Sequence, residues 1–139
     1  MRRFLIGTGF LGHAALHLGF IAPPSEDGDS PFTIDTSWLL PAGTEWVVGL
    51  SLATIAIVAF VGLTGAAWGL RQLRFAWRPL LGIGATASLG LLVAFWNPWL
   101  ILGVAINVGL LIVTFATPDW WDHLLARSAS FSPQTRWRG

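Results

Sequence analysis

Two histidines four positions apart, His13 and His17, are the residues in this chain with the clearest chemical potential. A spacing of four places both imidazoles on one face of a helix, and neutral imidazole nitrogens suit zinc, copper or iron. Two ligands do not complete a metal site, so a third would have to come from Glu45, Asp35 or another subunit. The zinc-protease pattern requires a glutamate directly after the first histidine, and Ala14 stands there instead. A haem held between both histidines of one subunit fails on geometry, because residues one helical turn apart cannot reach opposite faces of a ring. Single-histidine ligation of a haem, a quinone or a chlorophyll-type ring stays open. With no cysteine there is no thiolate chemistry, and no serine is paired with a histidine–carboxylate relay. The glycines do not form a phosphate-binding loop, so the sequence leans away from an enzyme.

The surroundings of these histidines are decided by composition. Of 139 residues, 54% are hydrophobic and 11% charged, less than half the roughly 25% charge of a soluble domain. This excludes a soluble globular enzyme and a disordered tail, and a formal charge of +1 offers no footprint for nucleic acid. The expected fold is all-α, a four-helix bundle crossing a membrane. About 20 apolar residues span a bilayer core, and four uncharged stretches suffice: 4–22, 46–70, 79–96 and 99–116. The last two share one apolar run that Asn97-Pro98 divides, since proline breaks a helix. The first reads as a retained span rather than a cleaved signal peptide: it contains both histidines and lacks the small residues of a cleavage site.

With four spans, all eight positive charges, every one an arginine, fall on one side, and five of seven acids (Glu26, Asp27, Asp29, Asp35 and Glu45) fall on the other. The positive-inside rule then places both termini in the cytoplasm. Tryptophans near the span ends and absent from mid-span agree with interfacial belts. The loop 23–45 is read as a surface-hugging connector, with a lid over an outward cavity as the sharper alternative. Residues 118–127 are expected to form a short interfacial helix, and 128–139 a flexible cytoplasmic tail.

Intramembrane polar groups are costly and mark places of interest. Counted inward at about 1.5 Å per residue, His13, Thr54, Ser88 and Asn107 reach a common depth, and His17 matches Ser51 one turn further out. The four helices are therefore expected to share a polar layer, which serves packing, a metal or cofactor, or a proton or solute path. Small residues at helical spacing form a second pattern: Ala15 and Gly19, Gly65 and Gly69, Gly82, Thr86 and Gly90, and Gly103 with Asn107. Such stripes let helix backbones approach closely in lipid, within the chain, in a homo-oligomer or against a larger complex.

The segment Arg3–Leu18, reading RFLIGTGFLGHAALHL, resembles the opening of the DoxX-like group of small bacterial membrane proteins. The resemblance covers the first span together with the four-span plan and chain size. It implies a bacterial inner-membrane protein associated with quinone-linked or redox membrane complexes, and it carries over no catalytic residue. The expected function is an accessory or scaffolding subunit of a membrane complex, with lipid and other membrane proteins as partners. A metal-, haem- or quinone-associated redox protein using His13 and His17 is one alternative, and a small dimeric transporter another.

Overall fold

The computed structural model describes residues 1–22 and 32–116. The expected interfacial helix 118–127, the tail and the first part of the loop lie outside the described residues. Those described contain helices and no strand: α1 (Arg2–His17), α2 (Glu45–Trp68), a single turn α3 (Arg71–Arg74), α4 (Trp77–Ala94) and α5 (Ile101–Ala116). Short 3₁₀ turns follow α1 (Leu18–Phe20) and precede α5 (Pro98–Leu100). Three helical stretches are long and apolar enough to cross a membrane: Glu45–Trp68, Trp77–Ala94 and Pro98–Ala116. The first expected span is not among them, since its α-helix stops at His17 and it carries Arg2, Arg3 and both histidines.

The helices pack as a row. α2 and α4 form the central pair, α1 lies against α2, and α5 lies against α4, while α1 and α5 have at most marginal contact. Position in the row explains the residue patterns. α1 buries Gly7, Phe10, Ala14 and His17, a three-four spacing that gives one inward stripe. α2 is covered on two sides and is apolar all round, as a central helix should be. Its buried positions are mainly alanine, with Phe60 and Leu63 as the large exceptions. The α2–α4 seam closes on Gly84, where a Cβ would stand 3.0 Å from the Cβ of Ala59.

Both helix breaks have a local cause. Asn97 is extended, as the residue before a proline must be, and its side-chain oxygen accepts from Trp99 N at 3.0 Å to start the turn into α5. Gly69, at φ +106°, ends α2 with a Schellman pair: Leu70 N donates to Gly65 O at 2.9 Å and Gly69 N to Ala66 O at 3.3 Å. Gly69 is thus a helix terminator, and Gly65 makes room for Leu70 and Leu73 of the turn that follows, where a Cβ would crowd them. A Gly69→Ala variant should lose about 1 kcal/mol in a denaturation titration, because a Cβ is disfavoured at positive φ. A neutral result would show that the turn relaxes.

The described part of the loop, from Phe32 to Thr44, is tied to the end of α4. Ser37 Oγ donates to Ala94 O at 2.6 Å, and Trp38 Nε1 donates to Val93 O at 2.7 Å. These are carbonyls of the last helical turn, which no intrahelical donor can reach. Ile34 is buried beside Gly49, and the Phe32 ring lies where a Cβ on Gly19 would come within 3.1 Å of it. At the opposite end, Trp68 stacks on Phe4 with centroids 5.6 Å apart and covers Gly7, where any Cβ would overlap the indole.

Candidate functional site

His17 faces the interior from the last turn of α1, Ser88 from the middle of α4 and Asn107 from α5. Their side chains form one hydrogen-bonded chain whose direction can be worked out. His17 Nδ1 lies 2.9 Å from the carbonyl of His13. A carbonyl only accepts, so Nδ1 carries the proton and the neutral ring offers Nε2 as an acceptor. Ser88 Oγ, at 2.7 Å, must donate to that nitrogen. Asn107 Nδ2 in turn donates to Ser88 Oγ at 2.8 Å and to Gly103 O at 2.8 Å. The Gly103 carbonyl also fixes the amide orientation, because the opposite flip would set two acceptors together. Every donor therefore has an assigned acceptor along Asn107, Ser88, His17 and the His13 carbonyl.

Two polar atoms are left over. His13 Nε2 and Asn107 Oδ1 are buried without a hydrogen-bond partner. The Asn107 amide lies within hydrogen-bonding range of the His13 ring, but no well-aligned bond joins these two atoms. The His13 ring stands edge-on to Phe60 at 4.5 Å and to His17 at 5.1 Å. Phe60, fully buried, also lies 6.0 Å from the His17 ring and 6.2 Å from Phe10. It is the support on which both imidazoles rest.

The open side of the row, between α1 and α5, holds a cavity of about 170 Å³. Its polar lining is His13, His17 and Ser88, and its outermost walls are the rings of Phe32 and Trp99. A trough of about 360 Å³ continues it along the helices past Ile6, Gly9 and Leu110. His13, Leu16 and Ile106 border both. A separate cavity of about 210 Å³ near the loop contains Asp35 and Trp46. Phe20 and Phe32, edge to face at 5.3 Å, border both it and the histidine cavity.

Several expected site residues take other places. Ser51 and Thr54 are exposed on α2, and Ser51 donates to Val47 O within its own helix. The polar layer is therefore built by α1, α4 and α5 without them. The buried hydroxyl of α2 is Thr64, whose one proton is shared between Gly7 O at 3.1 Å and Phe60 O at 3.0 Å. Glu45 accepts from Gly43 N, and Asp35 accepts from Thr33 Oγ1. Neither joins the histidines: among the described residues no three metal-ligating side chains come together. The His17 nitrogens are both engaged, which leaves His13 as the member of this pair with an unsatisfied ring nitrogen. Of the small residues, Gly103 fits against Leu92 and Gly19 against Phe32, whereas Gly82 and Gly90 have only ordinary contact with Thr114 and Leu52. Ala15 and Thr86 are exposed. Phe60 and Gly84 went unanticipated; the alanine-rich face they serve was the available signal.

No family model matches the chain, and neither the curated proteins nor the solved structures contain a match to it.

Proposed function

We propose that this chain is a small bacterial inner-membrane protein that crosses the bilayer four times, as a four-helix bundle with both termini in the cytoplasm. On this reading it serves as an accessory or scaffolding component of a larger membrane complex. The observation that carries the proposal is α5. The stretch Pro98–Ala116 is apolar enough to span a bilayer, yet only 17% of it is buried within the chain, against 50% for Trp77–Ala94. Its outward residues include Ile101, Leu102, Ile106, Ile112 and Phe115. A helix held by a single neighbour is suited to completing its packing on another protein in the membrane.

The fourth span in this reading is α1 together with its 3₁₀ turn. The arginine segregation supports the orientation, and the exposed tryptophans at or near the helix ends (Trp38, Trp46, Trp68, Trp96 and Trp99) fit belts at the two interfaces. The DoxX-like resemblance of residues 3–18 fits the same setting. A second reading, ligation of a metal or a single-ring quinone by one histidine, is favoured by the unpartnered Nε2 of His13 beside a cavity of about 170 Å³, which is too small for a haem.

A photo-crosslinking residue placed at Ile112 in native membranes tests the lead reading. One discrete adduct with a different protein is expected, and none from the fully buried Leu63. An adduct with a second copy of the chain, or with lipid alone, would overturn the accessory role. A reporter fused after Gly139 should be active only in the cytoplasmic format, and the opposite result would overturn the orientation.

A further inference from the structure

We propose that the cavity between α1 and α5 is a binding site for a lipid-soluble phenol, an uncharged flat ring carrying one hydroxyl. The proposal rests on the membrane setting of the proposed function, and its test uses the chain with no partner on α5. An apolar cavity of about 150 Å³ holds benzene, so about 170 Å³ accepts a single ring and little more. Leu16, Leu92, Leu100 and Ile106 supply aliphatic walls, and Phe32 and Trp99 supply aromatic ones. Among the described residues no carboxylate or guanidinium lines the space, and an unpaired charge in such surroundings is costly. The ligand is therefore neutral.

The hydroxyl follows from the hydrogen-bond inventory. Both nitrogens of His17 are engaged, and Ser88 Oγ already donates to one partner and accepts from another. Apart from the Trp99 indole, which can only donate, His13 is the remaining polar side chain of the described lining, and its Nε2 lacks a well-aligned partner. A hydroxyl both donates and accepts, so it satisfies this nitrogen in either tautomer once the ring turns toward the cavity. A ring ketone would satisfy only one. Access runs from the lipid side, since α5 does not close against α1. The trough past Gly9, where a Cβ would meet nothing within 4 Å, leaves room for an apolar substituent on the ring.

The test uses the full chain in detergent micelles and fluorine NMR of two probes of similar volume, 4-fluorophenol and fluorobenzene. Empty micelles serve as reference. A saturable, shifted 4-fluorophenol signal is expected, with fluorobenzene bound about tenfold more weakly, the worth of one good hydrogen bond. In His13→Leu that preference should shrink towards unity while fluorobenzene binding persists. Leu16→Trp, which adds bulk at an exposed cavity residue without touching the core, should abolish both signals. The proposal is overturned if no saturable signal appears, if His13→Leu keeps the preference, or if Leu16→Trp leaves binding intact. Since Leu16→Trp leaves the histidines and the core alone, it decides the matter even where His13→Leu does not fold.

Discussion

Phe60→Ala is expected to lower the stability of the folded chain by about 3 kcal/mol. Soluble proteins lose about 3–5 kcal/mol for such a truncation. Part of that is the transfer of apolar surface from water, which a lipid environment does not supply. The remainder is contact energy that nothing replaces, and Phe60 has much of it: it is fully buried between Phe10 and the two histidine rings. The loss should appear as an earlier transition when the purified protein in micelles is titrated with sodium dodecyl sulfate and followed by tryptophan fluorescence. Losing their support, both imidazoles should also gain rotamer freedom, visible as broadened ring resonances. A shift under about 1 kcal/mol would mean that the neighbouring helices collapse into the space, and that the rings are held by hydrogen bonds alone.

The second large effect is expected at Ser88, the shared member of the polar chain. Ser88→Ala removes one hydroxyl but strands two partners, the acceptor nitrogen of His17 and one proton of the fully buried Asn107 amide. Interhelical hydrogen bonds in membranes average only about 0.6 kcal/mol, whereas a stranded buried group costs about 1–3 kcal/mol. A loss of about 2 kcal/mol is therefore expected. The two stranded groups are coupled, so Ser88→Ala combined with Asn107→Leu should cost less than the sum of the single changes by about 1 kcal/mol. Additive costs in that cycle would show that the three side chains are neighbours without forming a network.

Much of the helical layout could be read from residue types. Asn97-Pro98 divides an apolar run far too long for one span, and the turn falls there because proline constrains both itself and the residue before it. Gly69 ends α2 for an equally local reason. What depth counting could not supply was direction around a helix axis. The count itself was a turn off, since it set Ser88 level with His13 and His17 level with Ser51, whereas Ser88 bonds His17. Ser51 and Thr54 are exposed, and α2, apolar on every side, offers no polar stripe from which to tell. His17, Ser88 and Asn107 were recoverable because α1, α4 and α5 each carry few polar groups. The carboxylates of Asp35 and Glu45 were placed near the histidines only by composition. Their actual partners are set by loop turns, Thr33 for one and Gly43 for the other, which spacing does not encode. The burial of His17 over His13 also depended on azimuth, with Gly7, Phe10 and Ala14 setting the stripe that continues to position 17.

The clasp between the loop and α4 ties distant parts of the chain together. Because Ser37 and Trp38 are bonded to the final carbonyls of α4, that helix cannot slide along its axis without hauling residues 32–40 behind it. Phe32 rides on the same strap, and it walls the compartment that contains His17. A piston stroke of α4 would thus reshape the rim above the imidazoles at the same moment as it displaced Ser88 below them.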